Sequence, residues 1–374
     1  MSFVSIGNGI SDLKSPRLQR FEELLAPASE SEFESIARIA RALTVQNFGR
    51  TMRLFAPLYL SNECINNCRY CGFSRDNPIL RVTLDLDEVK AEAAHLAAQG
   101  FRQILLVAGE HPKFVSSSYL ADCVRMLAKQ FASVSIEVGP METQEYRPLV
   151  SAGADGLVVY QETYDREIYG AMHTAGPKRD FDWRLDCPER GYAAGFRKIG
   201  IGALIGLAPW WKEASLLAAH VEYLLKHCWM AQISVSFPRL RPAAGGFQAQ
   251  FGMTDRELAQ LICAFRVTFP QIGIVLSTRE SAQLRDALAP LGVTTMSAGS
   301  HTEPGGYTHQ GSATVHQTVR GRIVAPEFSP ADDRIATGQF EISDDRSPAE
   351  VAAALDRFGF EAVWKDFDQA LAAI

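Results

Sequence analysis

Apolar and polar positions alternate along this chain in two distinct periods. Short runs of aliphatic and β-branched residues predict strands at 53–60, 102–107, 134–138, 156–160, 198–203, 232–237, 273–276 and 293–296. Between them the period lengthens to that of amphipathic helices, at 86–99, 118–131, 142–151, 182–194, 213–227, 255–269 and 281–289. The first of these has a capping box, Asp85 with Glu88 three residues on, and Gly100 as its stop. Eight strands alternating with helices predict a closed (β/α)8 TIM-type barrel, in preference to an open doubly wound sheet.

The flanks read differently. Residues 1–50 are polar and helix-like, with 32–43 the clearest periodic stretch. Beyond residue 306 the chain is polar and then helical at 348–358 and 360–373. The expected organisation is a helical N-terminal extension (1–50), one barrel domain (51–305) and a C-terminal extension packed on it (306–374).

Composition narrows the class. The chain has 374 residues, 47% of them apolar, and a formal charge of −6 without basic tracts or acidic tails. Neither nucleic acid nor a charged surface is the expected partner. The longest apolar run, 199–211, is short and interrupted by Gly and Pro, so no membrane span is expected. The opening residues lack the basic-then-apolar layout of a signal peptide. Seven cysteines, three of them crowded together, do not read as a secreted disulfide framework. The expectation is a cytoplasmic enzyme.

The crowded cysteines are Cys64, Cys68 and Cys71, in Cys64-Ile65-Asn66-Asn67-Cys68-Arg69-Tyr70-Cys71. Three thiolates at this spacing wrap one face of a cuboidal iron–sulfur cluster. A closed four-iron site or a structural zinc site takes four ligands, so three leave one metal open for chemistry. Other polar residues fall just after predicted strands, where barrel enzymes keep their reactive groups. They are Ala108-Gly109-Glu110, Glu137, Gln161-Glu162-Thr163, Arg239 and Arg241, Ser277-Thr278-Arg279-Glu280, and Ser297 to His301. Cys123 and Cys263 sit beside apolar residues and read as core. Cys187 and Cys228 have no cysteine partner at ligand spacing.

Several of these segments carry a resemblance. The cysteine motif, Ala108-Gly109-Glu110, Val159-Tyr160-Gln161-Glu162-Thr163-Tyr164, Met172-His173 with Gly176-Pro177-Lys178, and Ser297-Ala298-Gly299-Ser300 followed by Pro304-Gly305-Gly306-Tyr307 are together similar to one branch of the radical S-adenosylmethionine (SAM) family. That branch is the aromatic-amino-acid lyases, and within it the tyrosine lyases of thiamine biosynthesis match best. The resemblance spans about residues 30 to 370.

It implies one [4Fe-4S] cluster on Cys64, Cys68 and Cys71, with SAM on the open iron. It also implies cleavage of the Cα–Cβ bond of L-tyrosine to 2-iminoacetate and p-cresol, with SAM reduced to 5′-deoxyadenosine and methionine. Tyr70 is then expected near adenine, Gly109 and Glu110 at the SAM amino end, Glu162 at the ribose hydroxyls and Arg184 at the SAM carboxylate. Ala108 departs from the usual glycine of the family. Arg279 is the first choice for the tyrosine carboxylate, with Ser297 and Ser300 as hydroxyl donors and Arg239 and Arg241 as alternatives. His301 and His309 are candidates to steer the phenol. The implied partners are a flavodoxin or ferredoxin as electron donor and the thiazole synthase that consumes the imine. Alternatives are a hydrogenase-maturation tyrosine lyase, a tryptophan lyase, or a non-radical metal-dependent carbon–carbon lyase.

Overall fold

The computed structural model describes residues 14–319, 322–326 and 335–364. Eight parallel strands form the barrel: Thr51–Ser61, Gln103–Ala108, Ser133–Glu137, Gly156–Glu162, Lys198–Ala203, Gln232–Ser236, Gly273–Leu276 and Thr295–Ser297. Each neighbour pair is parallel, and the first strand closes the ring on the eighth through Arg53–Thr295, Leu54–Met296 and Phe55–Ser297. Closure removes both sheet edges, and the right-handed strand–helix–strand units put the helices outside.

The helices bury their apolar stripes on that wall. Leu86–Ala98 is capped by Asp85 and Glu88, and it buries Val89, Ala93 and Leu96. Before the barrel come Pro16–Leu25, capped by Ser15, and Glu30–Phe48, capped by Ser29 and Glu32. Phe21 packs edge-on against Phe265 at 4.8 Å, tying the first helix to Asp255–Thr268.

Two expectations are corrected. The helix expected at 182–194 is two, Phe181–Leu185 and Cys187–Ala194, because Pro188 has no N–H and its ring crowds the preceding turn. The helix expected at 360–373 opens instead as a strand, Glu361–Val363, which pairs with Thr51–Arg53; residues 365–374 lie outside the described residues. The first barrel strand pairs with the second only from Ala56 onward, so the backbone groups of Thr51–Arg53 on that side are free to take the added strand. Among the described residues no helix is long and apolar enough to cross a membrane.

Candidate active site

The chain leaves the first barrel strand at Ser61 and makes the cysteine loop. Backbone groups drive its shape. Asn62 donates to the carbonyls of Leu80 (2.8 Å) and Thr337 (3.0 Å) and accepts from the amide of Val82 (2.8 Å). The buried guanidinium of Arg81 donates to the carbonyls of Asn62 (2.6 Å), Ser74 (2.8 Å) and Phe73 (3.2 Å). A fork of fixed donors thus gathers loop carbonyls that have no secondary structure to satisfy them. Asn67–Cys68 forms a short antiparallel ribbon with His173–Ala175, which moors the middle cysteine.

Cys64, Cys68 and Cys71 carry free thiols, Cys68 fully buried and the others half-buried. Burial pushes all three thiol pKa values up, and each lies close enough to another to feel its charge. Thiolates are therefore costly here unless a cation joins them. Among the described residues no three His, Cys, Asp or Glu side chains converge tightly enough for a single metal ion. The donor set suits a body that offers each cysteine its own metal corner, and an iron–sulfur cluster is such a body.

Around the loop lie the residues expected at SAM. Glu110 accepts from the Asn66 amide at 2.6 Å, and its carbonyl accepts the Ile65 N–H at 2.8 Å. A Cβ on Gly109 would stand 2.3 Å from the Glu63 carbonyl oxygen. That glycine is needed for contact with the cysteine loop itself, where the sequence suggested contact with a ligand. The Tyr70 hydroxyl meets His173 Nε2 at 2.8 Å, and His173 Nδ1 meets the Tyr169 carbonyl at 2.9 Å. The carbonyl only accepts, so Nδ1 carries the proton and Nε2 accepts from the phenol. Burial and nearby Lys178 lower the His173 pKa to about 3, which keeps it neutral.

Glu162 ends the fourth strand in a left-handed conformation, φ 71°, rare for a residue with a Cβ. Its carboxylate accepts from Lys178 Nζ at 2.7 Å and faces Arg184 at 3.6 Å. Burial pushes its pKa up, and the two cations outweigh that and hold it below the usual range. Arg184 is accordingly no surface residue. It is buried and also donates to the Tyr160 carbonyl at 2.6 Å. Lys178 is the partner that sequence reasoning missed, although it stood in a quoted motif.

A cavity of about 120 Å³ opens at the C-terminal end of the strands. Tyr70, Cys71, Glu137, Glu162, Lys178, Arg241, Arg279, Ser297 and Ser300 all line it. Arg279 lies over the Phe340 ring at 3.4 Å. Ser297 Oγ accepts from the Thr278 amide at 3.2 Å, whereas the buried Ser300 Oγ and Arg241 Nε have no partner among the described residues. Arg239 behaves otherwise. It grips Glu280 through two nitrogens, pairs with Asp255 at 2.8 Å, and is absent from the cavity wall. The sequence offers it as an alternative for the substrate carboxylate, and here its guanidinium is held by these two carboxylates. His301 pairs with Glu303 at 2.9 Å outside the cavity. Gln339 and Phe340, from the C-terminal segment, also line it, and nothing in the local sequence signalled them.

A barrel with three cysteines after its first strand and charged groups at its mouth defines a class, the radical SAM enzymes. The Radical SAM superfamily model matches residues 58–213, and the Biotin and Thiamin Synthesis associated domain matches residues 236–361. The chain is 44% identical over 349 residues to 2-iminoacetate synthase of Escherichia coli, covering 93% of this chain and 86% of that one. It is 43% identical to 2-iminoacetate synthase of Salmonella typhimurium, over 92% and 86% of the two chains. The solved FeFe-hydrogenase maturase HydG from Carboxydothermus hydrogenoformans superposes with a TM-score of 0.82 at 34% identity, covering 96% of this chain and 78% of that one. The chain belongs to the 2-iminoacetate synthase family.

Proposed function

We propose that this chain cleaves the Cα–Cβ bond of L-tyrosine at the barrel mouth, giving 2-iminoacetate and p-cresol. The observation that carries the reading is the shared wall. Cys71 of the cysteine loop and Arg279 after the seventh strand line one cavity.

Cys64, Cys68 and Cys71 would hold a [4Fe-4S] cluster, and Tyr70, Gly109, Glu110, Glu162 and Arg184 would surround SAM. Once bound, the cluster and SAM would supply the one-electron chemistry that generates a hydrogen-abstracting radical. The chain's own residues bind and orient. Arg279 offers a planar donor fork to the tyrosine carboxylate, with Ser297 and Ser300 beside it. Phe340 under the guanidinium restricts its motion, which lowers the entropy lost on binding. Arg241 is the second cation of the wall. The aromatic faces of Tyr59 and Tyr160 give the phenol ring an apolar bed.

Residues 51–305 form the catalytic domain in this reading, with 1–50 and 306–374 as extensions, the latter completing the cavity through Gln339 and Phe340. A flavodoxin or ferredoxin delivers electrons, and a thiazole synthase consumes the imine. The test is SAM cleavage by the reconstituted protein with tyrosine or tryptophan added. Tyrosine should stimulate 5′-deoxyadenosine release. Stimulation by tryptophan alone would make this a tryptophan lyase.

A further inference from the structure

Five charged side chains line the cavity: Glu137, Glu162, Lys178, Arg241 and Arg279. Glu162 and Lys178 are paired at 2.7 Å. Of the remaining three, none has an ion pair among the described residues. They are two guanidiniums and one carboxylate, Glu137.

Glu137 is the last residue of the third barrel strand, Ser133–Glu137, while Arg279 follows the seventh, Gly273–Leu276. Four strands apart in a ring of eight, they reach the cavity from opposite walls. An α-amino acid carries a carboxylate that only accepts and an ammonium that only donates. An arginine on one wall and a carboxylate on the opposite wall are the complement of that pair.

We propose that Glu137 receives the α-ammonium of the bound amino acid, across from Arg279 on the carboxylate, and so selects an amino acid over an acid without the amine. The inference rests on the tyrosine reading above and deepens it. The Glu137 carboxylate opens on the cavity with no ion pair among the described residues, so a donor brought by the ligand can meet it there. In agreement, burial and the charge of Glu162 lift the Glu137 pKa to about 7, against the pull of Arg279, Arg184 and Lys178. A carboxylate of this kind is also a stronger proton acceptor. Transfer breaks one ammonium N–H bond and forms O–H on Glu137, leaving the neutral amine with its lone pair.

The experiment is equilibrium binding to the cluster-reconstituted protein with SAM present. The two probes are L-tyrosine and 3-(4-hydroxyphenyl)propionate, which is tyrosine without its amino group. The expected result is that Glu137→Gln weakens tyrosine about tenfold or more and leaves the deaminated acid within about twofold, the loss of one charge-assisted hydrogen bond. Arg279→Gln should weaken both probes alike. If Glu137→Gln lowers both in parallel, or neither, Glu137 does not hold the amine. Should Glu137→Gln fail to bind SAM, Glu137→Asp keeps the charge on a shorter arm, and the same selective loss of tyrosine is required of it. Wild-type protein that binds neither probe would instead refute the tyrosine reading itself.

Discussion

The Asn66 side-chain amide, between the first two cysteines, donates to Glu110 Oε2 at 2.6 Å. The cysteine loop and the turn after the second strand are thereby one unit, reinforced by the Ile65 amide on the Glu110 carbonyl. A carboxylate has acceptor capacity beyond one donor, so Glu110 can hold the loop and still take the SAM ammonium. Asn66→Ala should keep the cluster chromophore and weaken SAM binding. Glu110→Ala should weaken it by about 1.5–3 kcal/mol, the value of a hydrogen bond to a charged group. Unchanged SAM affinity in both variants, measured by equilibrium dialysis, would remove Glu110 from the SAM site.

Cys64→Ala, Cys68→Ala and Cys71→Ala should each abolish the brown chromophore and reductive SAM cleavage, because two thiolates do not retain the cluster. Full visible absorbance in any one of them would break the ligand assignment.

Arg279 and Arg239 are two arginines with opposite surroundings. Arg279→Ala should raise the tyrosine concentration needed for half-maximal rate at least tenfold while tyrosine-independent SAM cleavage persists. Arg239→Ala strands the buried Glu280 carboxylate. Its effect should be on stability, by about 1–3 kcal/mol for a buried acceptor left without its donor, read as a lower denaturant midpoint. Reversed phenotypes would exchange the two roles.

The reading of the fold from sequence was close where period and caps agreed. Lys198–Ala203 and Gly273–Leu276 begin and end as expected, and Leu86–Ala98 carries the expected capping box. Short-range rules failed where long-range pairing decides. Glu361–Val363 is a strand only because Thr51–Arg53 lies beside it. Of the expected strand-end residues, Glu137, Glu162, Arg241, Arg279, Ser297 and Ser300 share the cavity wall with Cys71, whereas Glu110 and Arg239 do not. Gln339 and Phe340 were not legible in the sequence, since they meet the barrel mouth from far along the chain. Arg81 was not either, although its partners are near in sequence, because no local pattern marks an arginine that chelates loop carbonyls.

Acid stability tests the buried histidines. His173 and His220 have pKa values near 3 because burial disfavours their charge. The unfolded chain binds those protons from about pH 6.5 downward, so stability is lost as pH falls. Glu137 and Glu213, raised to about 7, act in the opposite sense between about pH 7 and 4.5. The histidine contribution is isolated by a variant. Relative to wild type, His220→Gln should gain up to about 1.4 kcal/mol per pH unit below 6.5. A difference constant from pH 7 to 5 in chemical unfolding would mean that His220 titrates normally.

The rival within reach of this fold is the hydrogenase-maturation tyrosine lyase. Cys263 is buried within Asp255–Thr268, apart from the cysteine loop. The decisive measurement is anaerobic incubation of the reconstituted protein with SAM, reductant and L-tyrosine, scoring all carbon products. The account predicts p-cresol with an equal amount of 2-iminoacetate, trapped as glyoxylate, from protein holding about four irons per chain. Carbon monoxide or cyanide among the products, or the absence of p-cresol, would contradict it.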